Sequence, residues 1–346
     1  METKQLSQKA YQEALRRWDA VAKPLGALGR FEEMIARIAA IEGTADVTLT
    51  PRCVVVFCAD HGVVAQGVSQ CGSDVTARVA ASIVRGESNI NRMAETADVQ
   101  VRAVDMGMLS PVPGTLDCRQ GRGTADLSLG PAMTRAQAEC ALQAGVSQAA
   151  ELQRQGFRML AAGEMGIGNT TAAAAMACAL LGKPPEAVAG RGAGLSDDGL
   201  ARKIESIRRA LAVNRPDPAD PVDVLAKVGG FELAGMAGLY LGSAVCGLPV
   251  VMDGMLSAVA ALTACRICPG VRDFLLPSHE SREAAGKMIL EELGLSPVIR
   301  GDLALGEGTG AAMLFPLLDM AARVYQSSHT FDSLKMEAYR PQGGKP

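Results

Sequence analysis

The residues best placed to do chemistry lie in three glycine-rich loops and at the ends of four apolar runs. The first loop reads Gly163-Glu164-Met165-Gly166-Ile167-Gly168-Asn169-Thr170-Thr171 and runs into the alanine-rich stretch AAAAMACALL. Glycines let backbone amides approach an anion, and a helix beginning there points its positive end at it. In outline this is a phosphate cradle. Asn169 stands where a nucleoside-triphosphate loop carries lysine, and Thr171 where a dinucleotide fingerprint needs its third glycine. The spacing favours a phosphate monoester and speaks against a nicotinamide-dependent dehydrogenase. The plainer alternative is a structural strand-to-helix turn.

The second loop, Gly190-Arg191-Gly192-Ala193-Gly194, leads into a segment carrying Lys203. It offers more amides and a cation to the same anion, or else an ordinary turn with a solvated lysine. The third, Gly306-Glu307-Gly308-Thr309-Gly310, holds a carboxylate at a helix entrance. Glycine costs backbone entropy, so an acid set between glycines gains nothing for folding. Glu307 is therefore the first candidate for a general base. His61 and His279 also follow apolar runs. Each reads more readily as a hydrogen-bonded structural residue than as a substrate contact.

The elements that must position these loops follow a repeated grammar of apolar run, acid, glycine and helical stretch. It occurs at CVVVFCA before Asp60, VQVRAV before Asp105, FRMLAAG before Glu164 and LPVVM before Asp253. Short apolar runs alternating with helices predict a mainly parallel α/β sheet, Rossmann-like and flanked by helices. In such sheets ligands bind beyond the carboxyl ends of the strands, where all four acids fall. Any one of them alone reads equally well as a loop or helix cap. Two N-terminal helices are expected, broken at Lys23-Pro24, with the second over Arg30 to Glu42. Thr134 and Gln137 form a capping box, and Asp197-Asp198 suit a first helical turn. Pro216, Pro218 and Pro221 mark a loop. A last helix follows Gly310 with a kink at Pro316, and the polar stretch after Thr330, ending RPQGGKP, is expected to fray.

The chain has 346 residues, 48% of them hydrophobic, with 38 Gly but one Trp, four Tyr and seven Phe. A net charge of −3 indicates no nucleic-acid surface, and so few aromatics leave little on which to stack bases. No run is long enough to span a membrane. The charged N-terminus lacks a signal peptide's apolar stretch. Nine cysteines, an odd number in a large chain, suit a reducing cytoplasm. Cys265 and Cys268 have no second ligand set, so no metal and no cofactor are expected.

Taken together, the motifs resemble the nicotinate-nucleotide:5,6-dimethylbenzimidazole phosphoribosyltransferase family of cobamide biosynthesis. The resemblance runs in order through KPLGALGRFE, ADHGVVAQGVS, the stretch from Asp105 to Met108, RGTADLSLGPAMTRAQAE, GEMGIGNTTAAAA, GRGAGL, PVDVLAKVGGFELAGMAGLYLGSAVCGLPVVMDG, LPSHESRE and LGEGTGAAM, nearly the whole chain. It implies transfer of phosphoribose from nicotinate mononucleotide to a benzimidazole-type base. The products are α-ribazole phosphate and nicotinate. By the same resemblance Glu307 is the general base and Glu164 a second active-site carboxylate. Gly168, Asn169, Thr170, Thr171, Gly192 and Lys203 match its phosphate site. Residues 47–277 would form the large α/β domain. Residues 1–46 and 278–346 would supply a smaller helical bundle, the latter also carrying the Glu307 loop. A homodimer and small-molecule substrates are implied, with no nucleic acid or membrane partner. The two adjacent acids by which pyrophosphate-using transferases hold magnesium are missing, as befits a donor that is already a nucleotide.

Three departures bear on the acceptor. Cys71 and Val79 replace a serine and a glutamine near the acceptor base, and Ala304 stands where relatives carry arginine. Cys71, Val79 and Met165 mark the acceptor pocket by the resemblance, and the departures, Ala304 included, imply an altered base range, to other benzimidazoles, a purine or a phenol. A non-catalytic partner subunit is the remaining alternative, disfavoured by the retained Glu307. Competition among mixed bases, read by mass spectrometry, should show products from more than dimethylbenzimidazole. An unchanged strong preference for that base defeats the expectation of a wider range.

Overall fold

Every residue of the first strand, β1 (Arg52–Ala59), is buried, which is possible only where both faces of a sheet are covered. The computed structural model describes residues 2–340. It contains, in chain order, α1 (Gln8–Ala20), α2 (Arg30–Glu42), β1, α3 (Asp74–Val84), α4 (Asn89–Ala97), β2 (Gln100–Gly107), β3 (Leu116–Asp117), α5 (Arg135–Arg154) and β4 (Met159–Met165). There follow α6 (Asn169–Leu181), α7 (Pro185–Val188), α8 (Asp197–Asn214), α9 (Pro221–Val228), α10 (Phe231–Cys246), β5 (Val250–Met252), α11 (Met255–Ile267) and β6 (Leu275–Pro277). The chain closes with β7 (His279–Ser281), α12 (Ala284–Glu292), β8 (Ile299–Leu303) and α13 (Thr309–Ser327). The expected α/β architecture is the observed one.

The main sheet has the order β3-β2-β1-β4-β5-β6, with every pairing parallel. The chain builds outward from β1 in one direction and then returns to add β4 on the other side. That reversal opens a crevice at the carboxyl ends of the strands. Side chains of β1 alternate between two apolar layers. Cys53, Val55 and Phe57 pack with α5, α6, α10 and α11, while Val54, Val56 and Cys58 pack with α2, α3, α4 and α13.

The two ends of the chain meet on the second layer. The rings of Trp18 and Tyr325 lie 5.0 Å apart, and the Tyr325 hydroxyl donates to the Ala45 carbonyl at 2.8 Å. Between Phe331 and Tyr339 the chain is held rather than frayed. Phe331 is buried, its N–H donates to the Ala20 carbonyl at 3.0 Å, and Tyr339 packs edge-on against its ring at 5.1 Å. One buried aromatic anchors a polar stretch that pattern alone marked as loose. The PQGGKP end lies outside the described residues. Pro221 is likewise not a loop residue: it opens α9, where its missing N–H costs nothing and Asp220 caps the next amides. The capping box of Thr134 and Gln137 is present, and Pro316 lies within α13.

A second, two-stranded parallel sheet pairs β7 with β8. It draws the C-terminal segment onto the carboxyl edge of the main sheet. Among the described residues no helix is long and apolar enough to cross a membrane.

The α5–α10 contact depends on glycine. A Cβ at Gly238 would lie 2.0 Å from the Leu142 carbonyl oxygen, and one at Gly145 would lie 2.0 Å from that of Gly235. Backbone meets backbone there, so neither neighbour can yield as a side chain would. Gly238→Ala is expected to destabilise the protein by ~2 kcal/mol or more, the upper part of the overpacking range. Urea unfolding monitored by circular dichroism measures it.

Candidate active site

Four acids stand at the carboxyl edge of the sheet, and the structure divides them into two pairs. Asp60 accepts from the Leu109 amide at 2.8 Å, and Asp105 accepts from Gly107 at 3.0 Å and Met108 at 2.8 Å. These two hold loops. Glu164 and Asp253 instead line a cavity of about 270 Å³, together with Val79, Met165, Asn169, Thr170, His279, Glu283 and Glu307. A larger hollow of about 590 Å³ lies at the opposite end of β1 and β2, beside Arg52 and Asp98, away from all three glycine loops.

Glu307 enters the cavity from the entrance of α13 in an uncommon backbone state. Its φ is 61°, and Gly306 and Gly308 on either side are both at 83°. A non-glycine residue in the left-handed region costs of order 1 kcal/mol and persists only where its surroundings enforce it. Two contacts do so. The Glu307 carbonyl rests on β4 at Gly163, where a Cβ would come within 2.6 Å of it. The Asp253 carboxylate accepts from the Gly308 amide at 3.2 Å and the Ala311 amide at 3.0 Å. The Glu307 carboxylate then accepts from the Ile90 amide, in the first turn of α4, at 3.3 Å.

Glu164 sits at the end of β4 and accepts a close hydrogen bond from the Asn169 amide group. Burial pushes its carboxyl up to about 8, with the charges of Asp253, Glu232 and Glu307 adding to the effect. It therefore carries a proton near neutrality. Burial also raises Asp253, opposed by His279 and by the amides it caps. The Ser278 hydroxyl donates its one proton to the Met252 carbonyl at 2.6 Å, so it accepts from His279 Nδ1 at 2.9 Å. His279 is thus an Nδ1–H tautomer whose Nε2 keeps a lone pair, and burial lowers its pKa.

The anion cradle joins the first and second glycine loops. Lys203 is fully buried, and its ammonium donates to Thr170 Oγ1 at 3.0 Å and the Gly190 carbonyl at 2.9 Å. Burial lowers its pKa to about 8, against which the Glu283 charge works. A solvated lysine is thereby ruled out. Gly192 lies against Thr170, where an added Cβ would be 3.0 Å from Oγ1. Of the six expected phosphate-site residues, Asn169 and Thr170 line the cavity, whereas Gly168, Thr171, Gly192 and Lys203 do not. Gly168 is the left-handed N-cap of α6, packed toward His61 and Val64, and the Thr171 hydroxyl is buried without a partner.

Cys71 is half-buried beside Ser69 at 3.7 Å and does not line the cavity, whereas Val79, Met165 and Ala304 do. His61 lies beneath the first loop, 2.9 Å from Glu232 and wholly buried with it, while His279 faces the cavity. Sequence reasoning missed Glu232, Glu283 and the holding role of Asp253. Only Asp253 carried a signal, its place after an apolar run. Among the described residues no group of His, Cys, Asp and Glu is arranged to hold a metal ion.

Because Glu164 is neutral in the folded protein and ionised when unfolded, the folded state holds the extra proton between pH 4.5 and about 8. Its contribution to stability is full below that window and lost as pH rises through it. Glu164→Gln should flatten the fall in melting temperature across this range, which a calorimetric pH series measures.

A family model described as Phosphoribosyltransferase matches residues 3–335. A nicotinate-nucleotide–dimethylbenzimidazole phosphoribosyltransferase of Acetivibrio thermocellus is 43% identical over 333 residues, covering 94% of each chain. The Escherichia coli protein of the same name is 42% identical over 92% of this chain and 89% of its own. A crystal structure of CobT from Thermus thermophilus superposes with a TM-score of 0.90 at 46% identity, covering 95% of this chain and 99% of that one. With its left-handed glutamate and buried-lysine cradle inside that matched span, this chain belongs to the nicotinate-nucleotide–dimethylbenzimidazole phosphoribosyltransferase family.

Proposed function

We propose that this chain transfers phosphoribose from nicotinate mononucleotide to 5,6-dimethylbenzimidazole or a related base. Nicotinate and α-ribazole 5′-phosphate are released, a step in assembling the nucleotide loop of cobamides. The observation that carries the reading is that one cavity is lined both by a carboxylate held in a left-handed backbone and by Thr170, whose hydroxyl is held from behind by the buried Lys203.

The donor's phosphate sits at the cradle of Thr170, Gly192 and Lys203, with the positive end of α6 behind it. Its ribose then extends toward Glu164 and Glu307. One ring nitrogen of the acceptor attacks C1′ opposite the nicotinate, so the configuration inverts from β to α. Glu307 takes the proton from the acceptor's other nitrogen. As the bond to nicotinate breaks, positive charge develops at C1′, and the carboxyl oxygens that line the cavity offer it lone pairs. Glu164, protonated near neutrality, offers a hydrogen-bond donor rather than a second base. The planar acceptor is gripped by Val79, Met165, Met255 and Leu305, since among the described residues no Phe, Tyr or Trp lines the cavity.

A homodimer in a reducing cytoplasm belongs to the same proposal and rests on the family resemblance and the cysteine composition. Glu307→Gln should lower kcat by about 10² to 10⁴, the usual worth of a positioned base, with KM for the nucleotide little altered. Nicotinate release followed by chromatography tests this. A loss smaller than about twofold removes Glu307 as the base.

A further inference from the structure

The cradle already contains an anion. Glu283 directly precedes α12, but its carboxylate makes no capping bond to that helix. It reaches across to the second glycine loop, where Oε1 accepts from the Gly192 amide at 3.1 Å. Oε2 lies so close over Gly190 that a Cβ there would be 1.7 Å away. It lines the same cavity as Thr170 and stands close enough to Lys203 to hold up that ammonium's pKa against burial.

We propose that Glu283 is an internal anion that fills the phosphate cradle of the resting protein and must leave it when the substrate's phosphate binds. The proposal rests on the reading of this cradle as the donor's phosphate site. Three features fit a placeholder better than a permanent brace. Glu283 Oε2 is buried with no hydrogen-bond partner, so the carboxylate is incompletely satisfied where it sits. The residue is only half-buried, which gives its side chain a short way out to solvent. A carboxylate on the Gly192 amide and a phosphate dianion at the same loop repel one another strongly. Glu283 thus holds the Gly190–Gly194 loop open and balances Lys203 until a more highly charged anion displaces it. A monoester dianion does so better than a singly charged ligand, which makes Glu283 a determinant of donor specificity.

Titration calorimetry of the full-length protein with inorganic phosphate near neutral pH tests the idea on wild type, Glu283→Gln, Glu283→Ala and Lys203→Ala. Both Glu283 variants should bind phosphate at least about threefold more tightly than wild type, since a competing charge is gone. The alanine variant excludes the trivial gain of an amide donor from glutamine. KM for nicotinate mononucleotide should fall in the same direction. If both Glu283 variants bind phosphate no better than wild type while Lys203→Ala binds it worse, the cradle stands and Glu283 is not its occupant. If phosphate binding ignores Lys203 as well, the phosphate-site reading falls and this proposal with it.

Discussion

The site depends on one backbone contact, the Glu307 carbonyl resting against the bare α-carbon of Gly163. Any side chain on β4 at that point would lift the C-terminal loop off the sheet. With glycine there, a residue from the C-terminal segment is set down beside the acid near the end of a central strand. The Asp253 carboxylate fastens the arrangement by accepting two amides from the loop and from α13. One face of the contact is made by absence of atoms and the other by directed hydrogen bonds. Together they offset the strain of a left-handed glutamate between two left-handed glycines.

Much of this was legible in the sequence because it is local. An apolar run ending in an acid reports a strand and its carboxyl edge without knowledge of neighbours, and a glutamate between glycines reports a conformation that helices and strands do not need. Glu164 stood out by its glycine loop and by the family resemblance, but what separates Asp253 from Asp60 and Asp105 was not legible. Those three aspartates share one local pattern, and only the C-terminal loop that lines the same cavity sets Asp253 apart. The pairing of β7 with β8 was equally hidden, since three-residue strands carry no periodicity. The burial of Lys203 also depends on a partner loop distant in sequence. Phe331 gave a misleading impression: a single aromatic among polar residues looks like a tail until the pocket that receives it is known.

Electrostatically the resting cavity is crowded with acids that would repel one another if all were ionised. The fold treats each of them differently. Glu164 keeps its proton, Asp253 is surrounded by amides and a neutral histidine, and Glu307 meets the amide of Ile90. Lys203 is not among the residues lining the cavity and lies against the first loop at Thr170. Such a separation of acids from cation suits the proposed donor orientation, ribose toward the acids and phosphate toward Lys203.

The aromatic poverty of the chain has an optical consequence. Its one tryptophan, Trp18, is buried against Tyr325 where the two ends of the chain meet, and it is not among the residues lining the cavity. Intrinsic emission from this protein is therefore a signal of whether the terminal helices are docked, silent to events at the cavity. Ligand occupancy has to be followed by heat, mass or the ligand's own absorbance.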